Sequence, residues 1–317
     1  MVPTARAISR SSNLTAASRS FAIYAWSVLA FNIGVILWGA YVRATGAGAG
    51  CGNHWPLCNG EVIPRPHNIE MLIEFTHRAT SGLALVAIAG LVVWAWRAYP
   101  RGHVVRLGAA LSGVFILTEA LVGAALVLLQ HVAQDQSVAR AAWISLHLAN
   151  TFTLLGVLAL TAWWATTSEV PVRRPDWLSV AALACLVLVG ISGAIAALGD
   201  TLFPATSLSG GLRQDFSQSA HIFVRLRVFH PGIAVAAAAL LIIAVIREMR
   251  HRRAEVTQTF GLVVLALVVV QLALGAINVA TLAPVPMQMV HLLLADLVWI
   301  GAVLFTAHSS ALTGRTA

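Results

Sequence analysis

Lysine is absent from the 317 residues, and all twenty basic side chains are arginines. That excludes chemistry built on a lysine amine: Schiff bases, retinal or pyridoxal attachment, and the lysine of a phosphate-gripping loop. Charge is scarce too, at 10% of residues against 59% hydrophobic content. A soluble domain carries about 25% charged residues, so this composition is that of a multispan membrane protein.

Crossing a bilayer core by helix takes about 20 mostly apolar residues. Eight runs qualify: 22–43, 71–97, 105–130, 141–166, 177–199, 222–246, 259–281 and 287–308. They are continuous rather than alternating, which rules out barrel strands. The expected fold is all-α, with eight transmembrane helices arranged as two pseudo-symmetric four-helix bundles. A net charge of +8 would point to nucleic acid in a soluble protein, but here its distribution along the loops matters more. Arg6, Arg10 and Arg19, then Arg97, Arg101 and Arg106, then Arg173 and Arg174, then Arg247, Arg250, Arg252 and Arg253, then Arg315 fall at every second connection. By the positive-inside rule both termini are cytoplasmic. The first twenty residues, rich in Ser and Arg, read as a cytoplasmic tail rather than a cleaved targeting segment.

The chain reads as two copies of one unit. EFTHRATSGLALV in helix two matches LRVFHPGIAVAAAALL in helix six, and LTEALVGAALVLL in helix three matches VVQLALGAINVAT in helix seven. ISLHLANTFTLLGVLAL in helix four matches MVHLLLADLVWIGAVLF in helix eight. The expected organisation is a tail at 1–20, a first half at 21–168, a cytoplasmic linker at 169–176 and a second half at 177–317, in parallel rather than inverted repeat. The two long outer connections are 44–70 and 200–221.

His77, His147, His230 and His291 lie inside spans, on helices two, four, six and eight, which all run the same way. Each sits about 6–12 Å below the outer helix end at a rise of about 1.5 Å per residue. A single intramembrane histidine is more often a hydrogen-bonded packing residue. Four at matched depth in matched repeats point instead to iron ligands, with a haem held between two helices in each half. Arg43, Arg78, Arg225 and Arg227 cluster where haem propionates would emerge, although snorkelling to lipid headgroups accounts for each alone. The remaining seven histidines read as solvated residues of loops and helix ends.

Three acids fall within spans: Glu74 near the outer mouth, and Glu119 and Asp296 deeper. Glu74 is three residues before His77, which puts both on one helix face and makes it a candidate proton acceptor beside the iron site. For Glu119, at the repeat position of Gln271, and for Asp296, an interhelical hydrogen bond is the expected role. Cys51 and Cys58 bracket the outer loop GCGNHWPLCNG, with His54 between them. A zinc site would lack a fourth ligand. A disulfide closing a short loop on the oxidising face explains the pair better, and Cys185 reads as a small buried residue.

GAYVRATGAGAGCGNHWPLCNG at 39–60, IEFTHR at 73–78 and the histidines at 147, 230 and 291 resemble the haem A synthase family, over nearly the whole chain. The resemblance implies oxidation of a methyl group of haem O to a formyl group, through successive hydroxylations and loss of water, with water as the oxygen source. It implies substrate haem O, or product haem A, between His77 and His147, with Glu74 catalytic. It also implies a haem b on His230 and His291, and matches Cys51 and Cys58 to the family's loop disulfide. The partners implied are the enzyme that makes haem O, an electron donor or acceptor such as a quinone, the lipid bilayer and terminal oxidase assembly. The haem sites would face outward. One departure stands out: some members carry a second cysteine pair in the matching loop of the second half, and 200–221 has none.

Two other classes share features with the sequence. A di-haem b-type quinol oxidoreductase also pairs histidines on four helices, but such proteins typically place their haems toward opposite faces. A transporter explains repeats and intramembrane acids but not four matched histidines. A prenyltransferase is disfavoured because no aspartate-rich motif for magnesium and diphosphate occurs.

Overall fold

The computed structural model describes residues 16–65, 67–167 and 174–311. Most of the tail expected at 1–20 and of the linker at 169–176 therefore lies outside the described residues. Ten helices follow one another: α1 (Ala16–Ala44), α2 (Ile69–Ala98), α3 (Val104–Leu128), α4 (Val138–Thr167), α5 (Trp177–Leu202), α6 (Leu208–Asp215), α7 (Ile222–Arg227), α8 (Phe229–His251), α9 (Glu255–Ala280) and α10 (Val285–Ala311). With α7 and α8 taken together, eight segments are long and apolar enough to cross a membrane. The described residues contain one isolated β-bridge, Cys58 with Glu61, and no longer strand.

Helix ends follow local chemistry. Asn68 accepts a hydrogen bond from the Met71 N–H to start α2, and Asp176 does the same with Leu178 at the start of α5. The span read as one run at 222–246 is interrupted at Val228. Pro231 has no N–H for the carbonyl of Arg227, and its ring crowds that oxygen, so it is tolerated only in the first turn of a new helix. The connection at 200–221 also holds more structure than its composition announced: Ser207 caps α6 by accepting from the Gly210 N–H.

Helices α1 to α4 close on one another in order, α1 on α2, α2 on α3, α3 on α4 and α4 back on α1, and α5, α8, α9 and α10 do likewise. The two sets meet where α4 and α1 face α5 and α10. Helix α10 serves both sides. Trp299, Ile300, Val303 and Leu304 pack into the core of the first set, with Leu155, Leu158 and Phe152, whereas Val298, Ala302 and Phe305 pack into that of the second. Polar ties cross the seam as well: the Trp299 indole donates to the Phe152 carbonyl at 2.6 Å. Arg43, at the end of α1, donates to the Ala197 carbonyl, Thr201 Oγ1 and Gln288 Oε1 at 2.9–3.0 Å.

Candidate functional site

The loop after α1 is folded down onto the start of α2. Cys51 and Cys58 form a disulfide that is fully buried against Met71 and Phe75. Asn59 and Gly60, both with positive φ (51° and 85°), make the tight turn that lets Cys58 pair with Glu61. Gly50 passes so near the backbone of Glu70 and Met71 that a Cβ there would lie 2.5 Å from it, so only glycine fits. Glu74 lies directly beneath, 3% exposed. Its Oε2 accepts from the Cys51 N–H at 2.8 Å, and its Oε1 pairs with the Arg78 guanidinium. Arg78 in turn donates to the carbonyls of His54 and Leu57. Carboxylate and guanidinium together latch the disulfide loop to α2 by charge-assisted hydrogen bonds.

The α3–α4 connection braces this loop from the side, with Val132 against Gly48 and Gln134 against Gly46. It is itself held by His131 Nδ1 and Ser137 on the Asp135 carboxylate at 2.7–2.9 Å, and by Arg140, which donates to the carbonyls of Ala133 and Asp135.

The four intramembrane histidines share one packing geometry. Each presents its Cε1 edge to a glycine on the preceding helix of its own set: His77 to Gly39 of α1, His147 to Gly123 of α3, His230 to Gly193 of α5 and His291 to Gly275 of α9. A Cβ on those glycines would stand 2.7, 3.7, 3.0 and 3.1 Å from the respective Cε1. Each ring thus lies edge-on against a neighbouring backbone, with its two nitrogens to either side. His77 and His147 lie within electrostatic range of each other, as do His230 and His291. Among the described residues Nδ1 of His77 and of His291 is buried without a hydrogen-bond partner, that of His147 has only the Glu119 carboxylate at 3.4 Å, and that of His230 meets Ser192 Oγ at 2.9 Å. A buried imidazole nitrogen left without a partner carries a desolvation cost, and neutral imidazole is a common metal ligand.

Nothing in the sequence distinguishes these glycines from the other small residues of apolar helices. They do fall at matching repeat positions, and the polar residue one turn earlier matches as well: Glu119 before Gly123, Gln271 before Gly275. Glu119 Oε1 lies 3.4 Å from Nδ1 of His147, and its carboxylate is held by Thr151 and Asn150 of α4. Its expected interhelical hydrogen bond is therefore present. Asp296 differs: it is fully buried and among the described residues neither oxygen has a hydrogen-bond partner, because the apolar residues of the seam surround that stretch of α10.

The arginines grouped in the sequence divide by location. Arg78 faces the disulfide loop, Arg43 bridges the two sets, and Arg225 is exposed. Arg227 pairs with Asp200 at 3.0 Å and Asp215 at 2.6 Å, so ion pairs fasten the 203–221 segment that has no cysteines. One histidine departs from expectation. His308, read as solvated, is 2% exposed beside Thr257, since Trp163 and Phe260 close over the end of α10.

The family model for cytochrome oxidase assembly proteins (COX15-CtaA) matches residues 22–303. A protein of Thermus thermophilus named protoheme IX farnesyltransferase is 49% identical over 281 residues, 87% of this chain and 46% of that protein. The chain thus spans about half the length of that relative. A heme A synthase of Staphylococcus saprophyticus is 30% identical over 293 residues, 87% of this chain and 90% of that protein. Another from Geobacillus kaustophilus is 44% identical over 93 residues, 29% of each chain. With the match running through all eight membrane-spanning segments, the chain belongs to the COX15-CtaA family of cytochrome oxidase assembly proteins.

Proposed function

We propose that this protein is a haem A synthase that oxidises a methyl group of haem O to a formyl group. The observation that carries the reading is the repeated histidine seat, two glycine-backed imidazoles in each helix set. Bis-imidazole ligation needs one neutral ring nitrogen from each of two histidines; the unpartnered Nδ1 of His77 and of His291 would each supply one, with Nε2 of His147 and of His230 as the other. The near full-length likeness to a protein named heme A synthase supports the same assignment.

In this reading His77 and His147 flank the iron of the substrate haem, and His230 and His291 hold a haem b. A haem supplies the oxidising power that no side chain has. With water as the oxygen source, the net change R–CH3 + H2O to R–CHO releases four protons and four electrons. A haem held by His230 and His291 would pass those electrons on to an acceptor of the quinone class. Glu74 is the carboxylate assigned to the reacting edge, where it accepts a proton or steers water, and Arg78 keeps it and the loop together. Arg225 stands free for a propionate, whereas Arg43, Arg78 and Arg227 would have to share their present partners with one. The alternation of arginine-rich connections supports an outer position for the disulfide loop.

Prenyl transfer is not assigned to this chain. The Thermus protein of that name extends well beyond the region of likeness, and no aspartate-rich diphosphate motif occurs here. The name fits a partner instead: an enzyme that makes haem O and delivers it, upstream of terminal oxidase assembly.

The test is expression with haem O supplied, followed by extraction and mass analysis of the bound haems. Haem A should appear with wild-type protein. His230→Ala and His291→Ala should each abolish the haem b spectrum. Recovery of haem O alone, or a bis-histidine spectrum persisting in both variants, would contradict the assignment.

A further inference from the structure

The two histidine seats are alike in shape but not in charge. One turn before the glycine that seats His147, α3 carries Glu119; one turn before the glycine that seats His291, α9 carries Gln271. Glu119 Oε1 is 3.4 Å from Nδ1 of His147, and the carboxylate is fixed by its neighbours on α4. Asn150 Nδ2 donates to its Oε2 at 2.5 Å and to the Phe115 carbonyl at 2.9 Å, while Asn150 Oδ1 accepts from Thr118 at 2.6 Å. Thr151 Oγ1 lies against Oε1. At the other seat Gln271 Nε2 is 3.5 Å from Nε2 of His291, and its Oε1 has no partner among the described residues. The contacts use different ring nitrogens and differ in kind: a pinned carboxylate in one half, a loosely held amide in the other.

We infer that Glu119 is a positioning residue that makes the first site the harder of the two to reduce. This rests on the haem-binding reading above. A carboxylate 3.4 Å from the imidazole nitrogen that does not bind iron acts on it by its charge, raises the basicity of the other nitrogen and favours ferric over ferrous iron. A neutral amide has no comparable effect. With haem in both sites the asymmetry would give direction to the pair: an electron would move from the first iron to the second, the first oxidised to ferric as the second is reduced to ferrous. That is the direction needed if the substrate losing electrons sits between His77 and His147.

The test is a reductive titration of the purified full-length protein carrying haem in both sites, with the second signal assigned by its loss in His291→Ala. In wild type the first site should have the lower midpoint. Glu119→Gln, which keeps the shape and removes the charge, should raise that midpoint by about a tenfold change in the ferric-to-ferrous ratio, about 59 mV for one electron. The second midpoint should stay in place. Gln271→Glu should lower the second midpoint and narrow the gap; this variant decides the matter if Glu119→Gln fails to fold. Unchanged midpoints in a haem-loaded variant, or equal shifts in both sites, would overturn the role of Glu119 alone. A wild-type protein that binds no haem would overturn the functional reading with it.

Discussion

Gly39 of α1 receives the edge of the His77 ring so closely that a single added methyl group would come within 2.7 Å of Cε1 and 2.9 Å of Nε2. The same relation joins Gly193 and His230 at 3.0 Å. A histidine ring that replaces a side chain of the neighbouring helix has its orientation set by backbone, which is stiffer than any side-chain contact.

Gly39→Ala should therefore displace His77. Overpacking of this kind costs about 1–3 kcal/mol, and the ring can relieve it only by turning. Haem retention in the first site should fall about tenfold, while the site between His230 and His291 keeps its spectrum. Gly193→Ala should give the mirror image. Haem content per protein, read by absorbance in each variant, checks both.

Glu74 has two duties that different substitutions separate. Glu74→Gln keeps an acceptor for the Cys51 N–H but loses the charge facing Arg78; Glu74→Ala loses both. Both should stop formyl production while leaving haem bound. Only Glu74→Ala should speed amide exchange at Cys51 strongly, by about tenfold or more, since a buried donor is left without its acceptor. Wild-type haem A yield from either variant would refute the catalytic assignment.

The ion pairs of Arg227 fasten the long loop of the second half, which has no cysteines. Arg227→Met leaves the half-buried Asp215 carboxylate without its partner, a loss smaller than the roughly 3–5 kcal/mol of a fully buried pair. Limited proteolysis should then cut within 203–221 in the variant and spare the wild type. Because the segment is fastened locally, the spectrum of the first site should not change.

Asp135 gives the α3–α4 connection an acid limit. Burial pushes its carboxyl up slightly, but hydrogen bonds from His131 and Ser137 outweigh this and hold it below the usual carboxylate range. A lowered folded value means the contribution to stability is complete above the ordinary value near pH 4 and disappears as pH falls through the lowered one. Exchange of the Ser137 amide should stay slow down to about pH 4 and rise below it. In Asp135→Asn it should be fast and independent of pH-linked protonation.

The sequence by itself determined the eight spans, because continuous apolar runs of membrane-spanning length admit only helices in a bilayer. It also pointed to the four histidines, since polar residues at matched depth in a repeat stand out against an apolar background. The pairing of Cys51 with Cys58 was legible for a similar reason: a separation of seven positions within a polar, glycine-rich loop brings two thiols within reach. What the sequence did not announce depends on neighbours far apart in the chain. That Gly39 and Gly193 seat histidine rings, that Arg43 ties α1 to α5 and α10, that Glu74 reaches up to a loop amide, and that Asp296 lacks a partner among the described residues are facts of helix rotation and approach. An apolar helix can turn about its axis in lipid at little cost, so only packing against other helices decides which residue faces which.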